Sequence, residues 1–126
     1  MKNTILVVTS LNIMFLFMHE FDAFHQGEWK MFRFLGKLKE STQYLLFLYI
    51  HIPLTLFCFY YLWSTNSFNH FVLWLIMNIL SIFHLLLHLI AIRWKSNVFK
   101  NIHSFIFITG WGITGIINLI LINSYK

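Results

Sequence analysis

The chain has 126 residues, of which 59% are hydrophobic, 20% aromatic and 10% charged. Soluble domains carry about 25% charged residues, so this composition excludes one and specifies an integral membrane protein with room for three or four spanning helices. The net charge of +5 lies in loops between apolar segments and reads as a topology signal, not as nucleic-acid binding, and the single cysteine, Cys58, excludes an intramolecular disulfide or a Cys-rich metal site.

The first apolar segment covers about residues 4–24. Its start, Met1-Lys2-Asn3 before an apolar run, imitates a signal peptide. The nearest cleavage-like triplet, Phe21-Asp22-Ala23, places a bulky Phe where a small residue is required, so the segment is read as the first span. The connection 25–41 has Met31, Phe34, Leu35 and Leu38 on one helical face and Lys30, Arg33 and Lys37 on the other. That antiphase predicts an amphipathic helix in the headgroup region. Three further spans follow at about 42–63, 70–92 and 103–123, each near the 20 or so residues that cross the hydrocarbon core. Low Gly and Pro counts and fifteen Phe fit helices rather than a barrel, whose strands would alternate apolar and polar residues. Pro53, inside the second span, removes a backbone bond and predicts a kink beside His51. The whole chain reads as one all-α membrane domain, a four-helix transmembrane bundle with an interfacial helix after the first span.

Orientation follows from the cations. The first and third connections hold Lys30, Arg33, Lys37, Lys39, Arg93, Lys95 and Lys100, whereas the opposite side holds only Lys2 and Lys126. The positive-inside rule places the first and third loops in the cytoplasm and both termini outside the cell membrane. Trp29, Trp63 and Trp94 fall at span ends, as interfacial Trp should.

Each span carries a polar stripe at helical spacing: Thr9, Asn12, His19 and Asp22; Tyr44, His51, Thr55 and Cys58; Asn78, Ser81, His84 and His88; His103, Gly110, Thr114 and Asn118. In lipid these stripes must turn inward, which directs Phe15, Phe47, Leu75 and Phe105 outward. Gly110, Gly112 and Gly115 allow close helix packing, and Asn78, Ser81 and Thr55 join helices through hydrogen bonds. At 1.5 Å per residue, His19 and His88 lie roughly 7 Å from the cytoplasmic end and His51 and His84 roughly 13 Å. His103 sits at the mouth; only His70 lies in the outer loop.

Three of the four acidic residues, Glu20, Asp22 and Glu28, fall between positions 20 and 28. An ionisable group at membrane depth costs roughly 2.5–3.5 kcal/mol on insertion scales and is by default a functional candidate. His and carboxylate are the usual ligands of zinc and non-haem iron, and His84 and His88 form an i, i+4 pair with which one helix face can grip a metal. The predicted ligands are His19, His84 and His88, completed by Asp22 or His51, with Glu20 as general base or further ligand. His25 and Glu28 read as interfacial, Glu28 pairing with Lys30 or Arg33.

His19-Glu20 with His25 departs from the zinc-protease HExxH, because the second His stands at i+6 on another face. His19-Glu20-Phe21-Asp22-Ala23, with Glu28-Trp29 after four further residues and the later Phe83-His84 and His88, resembles the signature of an uncharacterised family of short bacterial multipass membrane proteins. The resemblance implies that His19, Glu20, Asp22, Glu28, His84 and His88 act together, and it names no reaction.

The leading functional expectation is a membrane-embedded enzyme using a divalent metal, zinc or iron, on a lipid or other membrane-soluble substrate. Two non-enzymatic readings stand beside it. One is a haem-binding, electron-transfer bundle using two facing His such as His51 and His84. The other is an accessory or immunity-type protein that binds a membrane protein partner or a second copy of itself.

Overall fold

The computed structural model describes residues 2–32, 35–64 and 71–125. The four apolar segments form four α-helices, α1 (Lys2–Gln26), α2 (Glu40–Ser64), α3 (Phe71–Ala91) and α4 (Ile102–Tyr125), with no strand among the described residues. Each is long and apolar enough to cross a membrane. His70, expected in the outer loop, and Arg33 and Phe34, expected on the interfacial helix, lie outside the described residues.

Helix direction can be read from paired contacts. Going up α1, Asn12 meets Thr114, Phe15 meets Gly110 and Asp22 meets Ser104, so α4 runs antiparallel to α1. Ser81 against Gly115 and Leu85 against Gly112 make α3 antiparallel to α4. Phe17 on Phe59, Glu20 on His51 and Phe24 on Phe47 do the same for α2 and α1. The result is an up-down-up-down bundle with both termini at one end. α4 is its spine, packed along α1 and α3, and α2 is held more sparsely.

Lipid offers no hydrophobic drive for helix association, so close approach and hydrogen bonds must supply it. The asparagine side chain of Asn12 donates to the Trp111 carbonyl and to Thr114 Oγ1, both at 2.9 Å. Asn78 donates to the Trp74 carbonyl at 2.7 Å and reaches the Tyr61 hydroxyl at 3.5 Å. Thr9, Asn12, His19, Asn78, Ser81, His88, Thr114 and Asn118 are buried, as their stripes required. Leu75 and Phe105 face outward as expected.

Four positions differ from the expected facing. Phe47 is buried, because Phe24 and Trp29 pack on its ring at centroid distances of 5.0 and 5.7 Å. Phe15 is half-buried, its ring filling the space that Gly110 leaves open. Tyr44 and His103, placed on inward stripes, are exposed near helix ends. The expected interfacial helix is also different in kind. Gly27 adopts a left-handed conformation at φ 73° and its N–H closes α1 on the Ala23 carbonyl. The chain then forms a single 3-10 turn over Glu28–Met31 and further turns near 35–37, with no α-helix among the described residues of the connection. α2 continues through Pro53 as one helix.

A Cβ on Gly115 would collide with Ser81 Oγ and lie 3.1 Å from the Asn78 carbonyl oxygen. The backbone contact cannot swing away. Gly115→Ala should therefore lower bundle stability by about 1–3 kcal/mol, the cost of overpacking, read as an earlier thermal unfolding transition in detergent. An exposed Ile116→Ala change should leave that transition nearly unmoved.

Candidate metal centre

His19 on α1 and His84 and His88 on α3 converge at one end of the bundle. One ring nitrogen from each lies within 4.8 Å of the others. His19 Nε2 and His84 Nε2 are 2.8 Å apart. His84 and His88, one turn apart on a single helix face, bring their ring centroids to 4.4 Å. Tetrahedral zinc with bonds of 2.0–2.1 Å sets its nitrogen ligands about 3.4 Å apart, so small side-chain rotations separate the observed cluster from a ligating set. His19 is fully buried, and its Nδ1 finds no hydrogen-bond partner among the described residues.

The walls are aromatic. Trp111 stacks near His19 and His84 at 6.3 and 4.8 Å, and Phe99 lies against His19 and His88 at 5.4 and 4.8 Å. Neither residue was singled out for the site from sequence, since aromatics are everywhere in this chain. A cavity of about 170 Å³ gives access on one side, lined by Glu28, Phe32, His84, Leu87, His88 and Trp94.

Glu28 is the residue that sequence reasoning misplaced. It is buried, with its Oε1 3.9 Å from His88 Nε2. Lys30 pairs with Glu40 instead, at 2.6 Å. The left-handed turn at Gly27 brings Glu28 to His88; its signals in the sequence were the Gly before the Glu and the family resemblance, which grouped Glu28 with His84 and His88. Burial, and after it the charge of Glu20, pushes the Glu28 carboxyl up from 4.5 to about 8.

The remaining predicted residues form neighbouring groups. His51 Nε2 lies 2.6 Å from Glu20 Oε2, and its Nδ1 faces the Phe47 carbonyl. Because a carbonyl only accepts, Nδ1 carries a hydrogen, leaving one further hydrogen to be shared between Nε2 and Glu20. Asp22 accepts from the Ser104 hydroxyl and from Gln26 at 3.2 Å. Asp22 and His51 are therefore engaged elsewhere than with the three converging His. His51 and His84, the pair considered for haem, serve separate partners, Glu20 and His19. His25 and His103 are exposed.

Residues 5–125, all but the ends of the four-helix bundle, match a family of unknown function (DUF6713). The chain belongs to that family. No curated protein and no solved structure matches it. The DUF6713 match spans every residue of the His cluster and its carboxylate neighbours.

A carboxyl whose folded-state pKa is raised holds its proton more tightly folded than unfolded. The stability it contributes is fully present below 4.5 and lost as pH rises through about 8. Metal-free protein should therefore lose stability across that window, and Glu28→Gln, which cannot ionise, should flatten the loss. Thermal unfolding in detergent at pH 5, 6.5 and 8 measures it; equal slopes in both proteins would contradict the assignment.

Proposed function

We propose that this protein is a membrane-embedded metal-dependent enzyme, with a divalent zinc or iron ion held by His19, His84 and His88, that acts on a lipid or another membrane-soluble substrate. The observation that supports this best is the convergence of three imidazoles from two helices, His19 and His88 buried and His84 half-buried, with His19 Nδ1 left without a partner among the described residues. A divalent ion would satisfy several of these ring nitrogens at once. Three His with an open fourth position is a set that suits catalytic zinc, and two His with Glu28 is the set that suits non-haem iron.

A divalent ion in this position supplies Lewis acidity toward a polar group of the substrate. The chain's own residues supply the rest. Glu28 can orient the His88 ring or complete the ligand set. Trp111 and Phe99 keep bulk water from the His cluster. Glu20 with His51 is a proton store: the single hydrogen between Nε2 and the carboxylate can rest on either atom. Glu20 is accordingly the general base of this reading, with His51 as its partner rather than as a ligand.

The cation distribution supports a cytoplasmic position for the site, with both termini outside the cell membrane. Lys95 is exposed on the third connection. A cysteine at position 95 in a Cys58→Ser background should resist a membrane-impermeant thiol reagent in intact cells and react after permeabilisation. Labelling in intact cells would reverse the orientation.

The metal reading is tested by elemental analysis and visible spectra of detergent-purified protein. Wild type and His103→Ala should carry about one zinc or iron per chain with no Soret band, and His84→Ala should lose it by tenfold or more. Equal metal content in wild type and His84→Ala would remove the metal reading; a Soret band would replace it with haem.

A further inference from the structure

A second and larger cavity, about 540 Å³, opens between the end of α3 and the start of α4. Its walls are apolar: Leu85 and Leu89 from α3, Ile92 just past its end, and Phe105 and Ile108 from α4. Its rim is the connection of residues 92–101, which holds Arg93, Lys95 and Lys100 and no acidic residue. Lys100 lines the cavity itself and forms no ion pair among the described residues. The two other polar side chains of that connection that line the cavity, Asn97 and Asn101, are already engaged. Asn97 accepts from the Phe99 N–H at 3.0 Å, and Asn101 caps α4 by accepting from the Ser104 N–H at 2.7 Å. His88 forms part of the wall of this cavity and of the smaller one, so it stands between the groove and the His cluster.

An apolar slot between two membrane-spanning helices with a free ammonium at its mouth fits one kind of occupant. We infer that the α3–α4 groove binds an anionic lipid of the surrounding membrane, its acyl chain along Leu85, Leu89 and Ile108 and its charged headgroup at Lys100. The bilayer supplies many zwitterionic lipids as competitors. A Lys or Arg at the surface favours the anionic one by about fivefold. An uncharged or zwitterionic lipid leaves Lys100 unmatched. The polar junction between headgroup and chain then comes to rest beside His88, one helical turn from Ile92. That such a lipid is the substrate rests on the metal reading above; its selective binding does not.

Trp94 lines the groove and reports its occupant. Full-length protein is reconstituted into vesicles of zwitterionic phosphatidylcholine containing a small fraction of either brominated phosphatidylglycerol or brominated phosphatidylcholine. The Trp94 contribution is taken as the difference between wild type and Trp94→Phe. At equal mole fraction, brominated phosphatidylglycerol should show about a fivefold higher apparent affinity for the Trp94 site. Lys100→Glu should abolish the preference, and Lys37→Glu, an exposed cation of the first connection, should keep it. Leu89→Phe, which fills the slot and leaves all charges in place, should also abolish it. Equal quenching by the two lipids overturns the inference, as does a preference that survives Leu89→Phe, which would make it attraction to the general surface charge. Metal content measured in the same preparations separates the two readings. Metal retained without lipid preference removes the groove alone, and lipid preference without metal removes the metal centre alone.

Discussion

Inside a bilayer there is no water to take up an unpaired donor or acceptor, so the polar side chains of this bundle turn toward other parts of the chain. That constraint organises the molecule. Asn12 reaches across to the backbone of α4, Asn78 to its own helix and toward α2, and Glu20 to His51. Glycines on α4 let α3 come close enough for the contacts to form. The polar ties also hold the helices in register, because sliding one helix by a turn would strand an asparagine amide or a carboxylate in hydrocarbon.

The same rule separates structural polarity from chemical polarity. Toward the end formed by the two termini, the buried polar groups are amides and hydroxyls, neutral groups that can serve as ties. Toward the other end, besides Asn97 and Ser104, imidazoles and carboxylates pack against each other, buried or half-buried: His19, His84 and His88 beside Glu28, and Glu20 with His51. A bundle needs only the first kind to associate. The second kind adds a burial cost that packing alone does not offset, and it is concentrated at one end of the bundle axis.

Much of this was legible because each signal had a fixed period. Runs of about 20 apolar residues gave four spans, and the helical repeat put Asn12 and His19, and His84 and His88, on inward faces. What stayed hidden depended on a turn or on a choice among similar partners. Glu28 sits in the site because Gly27 takes a left-handed conformation, which periodicity does not encode. Asp22 chose Ser104, and His51 chose Glu20, from several groups at similar depth; stripe spacing specifies a face and a height but not which neighbour across the interface wins. Phe47 turned inward for the same reason, captured by Phe24 and Trp29, two aromatics that a lipid-facing assignment had no cause to place beside it. The connection after α1 carried an amphipathic pattern, yet the break at Gly27 and the short turn after it prevailed over the pattern in its described residues.

The pairing of α1 with α4 also has a history within each molecule's synthesis. Asn12 is bonded to Trp111, 99 residues further along the chain. At 5–20 residues per second, α1 leaves the ribosome roughly 5–20 s before its principal partner exists. For that interval its exposed Asn12, His19 and Asp22 have no α4 to meet, and α2, which emerges next, offers only a few contacts. The nascent first hairpin is therefore a poor membrane resident by itself. Its Asn12 and Asp22 gain their α4 partners only once the last helix has emerged.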